Sequence, residues 1–209
     1  MRVSLFCIFK LLKSFVPKRS KKVKRNLENT SKNHRVISIY EWAEAIIAAL
    51  IIVTLFFSAF FRVAEVYGTS MIPNLYSGDR ILLTGIYTKP TNGDVVVIAP
   101  NGSEEIPLVK RVIATENQTV DIDRASGKVS VDGVELDETR YIGNNRTDQQ
   151  SDLQFPLTVP SGHVFVLGDN RSVSKDSRSA DIGFIDQKNI IGKALFIIFP
   201  FDRIGGIAS

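Results

Sequence analysis

The 209 residues are enough for one globular domain plus an anchor, and the formal charge of +4 conceals an uneven distribution. Residues 1–40 carry 11 Lys or Arg against a single acid, Glu28, so this arm is +10 and the other 169 residues are −6. The only cysteine is Cys7 and the only histidines are His34 and His163, which excludes a disulfide framework and a Cys/His zinc centre and predicts no cofactor or metal.

The first sixteen residues, MRVSLFCIFKLLKSFV, are apolar with Lys10 and Lys13, a pattern that suits a short helix on a membrane surface and equally a disordered arm. A basic run of this kind reads as a solvated arm, a nucleic-acid patch or the flank of a membrane segment. The segment immediately after it decides against nucleic acid. Trp42 to Phe61 is a 20-residue run whose one charge, Glu44, lies near its start. A helix of that length, at about 1.5 Å per residue, spans the roughly 30 Å hydrocarbon core.

The arrangement predicts a basic cytoplasmic arm (1–40), a transmembrane helix (41–62) and an extracytoplasmic domain (63–209), oriented by the Lys/Arg excess before the span. The run is longer than a cleavable leader's apolar segment, and some forty residues precede it, so it reads as an uncleaved anchor.

Beyond Phe61 the pattern changes to short β-type stretches: Arg80–Thr84, Asp94–Ala99, Leu108–Ala114, Val120–Asp123, Lys128–Val131, His163–Leu167 and Ala194–Phe199. Asn92-Gly93, Ser126-Gly127 and Asp132-Gly133 punctuate them as turns. The fold class is therefore mostly β, one N-terminal transmembrane helix followed by a β-sheet domain. The more polar, loop-rich segment 117–160 reads as a small inserted subdomain.

A serine hydrolase needs a base, and histidine is the usual one. His34 lies on the arm side of the span and His163 alternates with apolar residues in a strand, so a Ser-His-Asp triad is disfavoured. Lysine serves as a base when desolvation or a neighbouring charge lowers its pKa. In Leu108-Val109-Lys110-Arg111-Val112-Ile113, alternation puts Leu108, Lys110 and Val112 on one face and Arg111 on the other. On that strand alone, a lysine snorkelling from a sheet edge is the simpler reading.

The context changes the balance. Gly68-Thr69-Ser70-Met71 with Pro73-Asn74-Leu75 and Gly78-Asp79, then Val109 to Ile113, then Gly168-Asp169-Asn170-Arg171 and Asp176-Ser177-Arg178 come after the anchor in that order. Together they resemble the bacterial type I signal peptidases, which use a Ser-Lys dyad.

The resemblance covers the chain from the span to Gly205. It implies Ser70 as nucleophile, Lys110 as general base, the Ser70 backbone N–H as an oxyanion donor, and Ser174 as a residue that hydrogen-bonds and orients the lysine. It also implies an Asp169–Arg111 partnership, an Asp176–Arg178 ion pair, and shallow small-residue pockets lined by Val66, Met71, Leu75, Ile81 and Val109. Gly68 stands where the best-known Gram-negative pattern has a serine completing the oxyanion hole, and is similar to the Gram-positive branch.

The implied partners are signal peptides of secretory preproteins, the lipid bilayer and, by proximity, the secretion translocon. Ser172-Val173-Ser174-Lys175 also fits the Ser-x-x-Lys spacing of penicillin-binding proteins, but the Lys-Thr-Gly motif of that fold is missing. A self-cleaving Ser-Lys repressor lacks the anchor. A single-pass β domain that only binds a partner gives no reason for Ser70, Lys110 and Ser174 to fall at their motif positions.

Overall fold

A computed structural model describes residues 31–85, 89–99, 106–143, 146–147 and 151–208, with side chains from residue 40 onward. The basic arm up to residue 30, with the expected surface helix in 1–16, lies outside the described residues. Two units are compact in themselves: the N-terminal part through Thr54, and Leu55–Ser209.

Helix α1 (Ser31–Phe60) contains the apolar stretch Tyr40–Phe60, long and apolar enough to cross a membrane. Its apolar side chains are uncovered on every face: Ile46, Leu50, Ile51, Leu55 and Phe57 are all more than half exposed. A helix apolar all round has no polar face to offer water. It ends at Phe60, earlier than the expected boundary at 62, because Phe61 already pairs with Thr84 in a sheet.

The β unit opens with β1 (Phe61–Glu65) and β2 (Arg80–Thr84), antiparallel neighbours. β3 (Val95–Ile98) and β4 (Leu108–Thr115) are succeeded much later by β9 (His163–Leu167), β10 (Ile185–Asp186), β11 (Ile190–Phe199) and β12 (Gly205–Gly206). These eight strands form one sheet in the order β1-β2-β11-β3-β4-β9-β10, with β12 also on β11.

The ten-residue β11 curls the sheet. Its first half pairs with β3, its second with β2 and β12, and register shifts near Ala194 and Ile197 bend it between the two.

Between β4 and β9 the chain builds a separate four-stranded sheet, β7-β6-β5-β8, from β5 (Thr119–Asp123), β6 (Lys128–Val131), β7 (Val134–Glu135) and β8 (Leu157–Thr158). A one-turn helix, α2 (Thr139–Ile142), lies between β7 and β8. Val120, Ile122, Val129 and Val131 of this sheet pack on Ile113, Phe165 and Leu167 of the main one. A second core gathers Val66, Met71, Leu75, Ile81, Leu83, Val95, Val97, Ala194 and Ile197 under the β1–β2 connection. These two cores support the loops that carry the polar residues of the motif boxes.

Candidate active site

Ser70 sits in the β1–β2 connection, and its neighbours fix it. Met71 and Leu75 are 2% and 0% exposed in the core, and the Asn74 and Leu75 N–H groups both close on the Met71 carbonyl at 2.9 Å. The turn is thus pinned by two apolar anchors with half-buried Ser70 at its start. From the other side, the Asn170 N–H donates to the Ser70 carbonyl at 2.9 Å, and Asn170 Nδ2 to the Thr69 carbonyl at 3.2 Å. Among the described residues the Ser70 N–H has no backbone acceptor. Gly68, two residues earlier, has φ +86° and nothing within 4 Å of a would-be Cβ, so its backbone, not crowding, favours glycine there.

Lys110 stands on β4, opposite Val96 of β3, and is only 3% exposed. Its Nζ lies 2.7 Å from Ser70 Oγ. Residues forty apart in sequence are therefore joined by one hydrogen bond, which is the geometry of a nucleophile and its base.

Behind this pair lies a buried layer of three arginine–carboxylate pairs. Arg111 Nε and Nη2 donate to Asp169 Oδ1 and Oδ2, both at 2.8 Å, with neither side chain exposed. The Arg111 Nη1 donates to the Gly93 and Ala208 carbonyls at 2.8 and 2.7 Å, and its guanidinium stacks on the Tyr141 ring at 4.1 Å. Arg178 forks onto Asp176 at 2.8 and 2.9 Å, while Asp176 Oδ2 also accepts the Gly168 N–H at 2.9 Å. Arg171 binds both oxygens of Glu138 and the Thr147 hydroxyl. Such pairs are costly to open, because removing one partner strands a desolvated charge.

Ser174 requires a correction. Its Oγ is buried and has no hydrogen-bond partner among the described residues, so the expected bond to Lys110 is not formed. The hydroxyl instead fills the space a side chain on Gly168 would occupy. The expected pocket wall also changes: Val66, Met71, Leu75 and Ile81 are at most 2% exposed and belong to the closed core. Of the five residues only Val109, half-buried at the margin of that core, retains surface to offer a ligand.

Residues 39–199 match the sequence pattern of the family described as signal peptidase, peptidase S26. The chain belongs to this family. It is 35% identical over 178 residues to a signal peptidase I of Bacillus licheniformis, covering 80% of this chain and 92% of that protein. It is 32% identical over 186 residues to signal peptidase I S of Bacillus subtilis strain 168, covering 85% and 96%. A crystal structure of a signal peptidase I from Enterococcus faecalis V583 aligns with TM-score 0.41 and 30% identity over 50% of this chain and 96% of that one. Membership in the peptidase S26 family makes the chain a serine endopeptidase of signal-peptide processing.

Four residues of this signal peptidase site gain a role only from the structure: Asn74, Glu138, Tyr141 and Arg171. Arg171 and Asn74 stand inside motif boxes, so the boxes were the signal that could have found them. Glu138 and Tyr141 sit in the inserted segment, where no motif points to them. The Tyr141 hydroxyl donates to Glu138 Oε1 at 3.0 Å. Burial, with the Glu138 charge beside it, pushes the Tyr141 phenol well above its ordinary value and keeps it a neutral donor.

Proposed function

We propose that this chain cleaves N-terminal signal peptides from secreted preproteins after small residues at −1 and −3, with Ser70 as nucleophile and Lys110 as general base. The observation that carries the reading is the 2.7 Å contact between Lys110 Nζ and Ser70 Oγ, with Lys110 only 3% exposed. Burial strips an amine of the hydration that favours its charged form, and only the neutral amine can take a proton.

In the reaction, Lys110 Nζ accepts the Ser70 hydroxyl proton as Oγ attacks the carbonyl carbon of the scissile peptide. The Ser70 N–H faces the developing oxyanion, a contribution whose loss costs on the order of 10²- to 10³-fold in rate. Lys110 then gives its proton to the departing amine, leaving the signal peptide esterified to Ser70. A water deprotonated by Lys110 releases it and restores the hydroxyl to Ser70.

The substrate binds extended beside the Ser70 segment, adding a strand by main-chain hydrogen bonds. The core residues beneath Ser70 leave little depth, which favours small side chains over large ones. The +10 arm keeps the N-terminus cytoplasmic and puts the β unit outside, near the translocon exit. Ser70 is nine residues beyond Phe61, hence within roughly 30 Å of the bilayer at about 3.3 Å per residue.

The test is cleavage of a preprotein with a mapped product N-terminus by detergent-solubilised enzyme. Ser70→Ala, Lys110→Ala and Lys110→Arg are each expected to be folded and inactive, the last because arginine does not deprotonate near neutral pH. Cleavage by any of the three refutes the dyad. Protease added outside intact spheroplasts should digest the β unit, and full protection would reverse the orientation.

A further inference from the structure

Asn74 joins the nucleophile's turn to the buried layer behind the base. Its Nδ2 donates to Asp169 Oδ2 at 2.7 Å and to the Tyr141 carbonyl at 2.6 Å. Both amide hydrogens are therefore committed, one to each acceptor. Its main chain is equally engaged: the N–H closes the turn on Met71, and the carbonyl accepts from Arg203 Nη2 at 3.1 Å.

Tracing these contacts outward closes a ring. From Ser70 the chain runs to Asn74, then across to Asp169 Oδ2, which also accepts Arg111 Nη2 at 2.8 Å. Arg111 is the covalent neighbour of Lys110, and Lys110 Nζ returns to Ser70 Oγ at 2.7 Å. Asn170, the neighbour of Asp169, holds the Ser70 carbonyl from outside the ring. The Asn74–Asp169 and Asp169–Arg111 links thus tie the Ser70 turn to the strand of Lys110 independently of the 2.7 Å contact between the two side chains.

Asn74 is the link that ties the Ser70 turn to the Arg111–Asp169 pair. The chemistry is specific to an amide: a carboxylate would meet Asp169 as a like charge, a hydroxyl has one hydrogen for two acceptors, and an aliphatic side chain has none. We infer that Asn74 is a positioning residue for the Ser70–Lys110 pair, acting through Asp169 and Arg111. This rests on the proposed dyad. It also gives the inserted segment a part in the site, since Tyr141 supplies the second acceptor.

The experiment measures kcat and KM for the full chain in detergent micelles on one preprotein, with Asn74→Ala and Asn74→Thr beside Ser70→Ala and Lys110→Ala. Thermal melts fix a temperature at which each variant is folded. Misplacing a catalytic pair by a fraction of an ångström to an ångström costs about 10- to 100-fold, so Asn74→Ala is expected to lower kcat by that factor with KM within about twofold.

Asn74→Thr, which keeps one donor, should recover part of the loss. If Asn74→Ala does not fold, Asn74→Thr carries the measurement with a several-fold fall in kcat expected. Wild-type kcat in a folded Asn74→Ala, a loss confined to KM, or a threonine variant no better than alanine overturns the inference. Activity in Ser70→Ala or Lys110→Ala instead overturns the dyad, so the two failures are distinguishable.

Discussion

Gly168 lies where β9 runs into the loop carrying Asp169, and it is held against Ser70, the proposed nucleophile. A Cβ built on Gly168 would lie 2.6 Å from the Ser70 carbonyl oxygen and 2.5 Å from Ser174 Cβ, and closer still to Ser174 Oγ. Ordinary contact begins near 3.4 Å, so Gly168→Ala requires the Ser70 carbonyl to retreat by about 0.8 Å or the loop to shift by a comparable distance. That displacement falls on Ser70 itself, whose Oγ is 2.7 Å from Lys110 Nζ.

Overpacking of this kind costs about 1 to 3 kcal/mol of stability, and an ångström at a reacting atom costs about 10²-fold in rate. The expected result is a folded enzyme with a modestly lower Tm and kcat reduced roughly a hundredfold. The assay is preprotein cleavage beside a thermal melt. Gly206→Ala serves as control because nothing lies within 4 Å of its would-be Cβ. Near-wild-type cleavage by Gly168→Ala would refute the claim that the loop's closeness sets the Ser70 position.

Asp169→Ala removes the carboxylate that satisfies two Arg111 donors and leaves a fully buried guanidinium unpaired, so unfolding experiments should show a loss of about 3 to 5 kcal/mol. Lys128→Ala is the counterpart: its pair with Glu135 has both side chains more than half exposed, and the same measurement should move by less than about 1 kcal/mol. Gly68→Ser adds a hydroxyl two residues before Ser70 but must adopt φ +86° with a Cβ, so it should lower stability by about 1 to 3 kcal/mol in a denaturant titration. An unchanged midpoint would mean that the backbone relaxes out of the left-handed region at no cost.

The strands that can be read from sequence are those whose pattern is local. Arg80–Thr84, Lys128–Val131 and His163–Leu167 alternate or run apolar between turn signals, and they occupy those bounds in the structure. β1 is hidden because Phe61-Arg62-Val63-Ala64 continues the apolar texture of the span. Only its pairing with β2, residue for residue from Phe61↔Thr84 to Glu65↔Arg80, makes it a strand. β11 starts four residues before the expected Ala194 because Ile190 to Lys193 find Ile98, Val97 and Val96 of β3. Gly192, inside this early part of β11, leaves room that a Cβ would take from the Thr84 carbonyl.

The site divides in the same way. Ser70, Lys110, Asp169, Arg111, Asp176 and Arg178 stand in short boxes, because chemistry at the reacting atoms and forked ion pairs admit few residue types. Glu138 and Tyr141, in the inserted segment, hold Arg171 and Arg111 through a carboxylate across 33 residues and a ring face. Those are contacts that many side chains can make from many places in a sequence. The legible residues are thus the ones a reaction constrains, whereas the residues that hold them at 2.7 Å are constrained only by the fold.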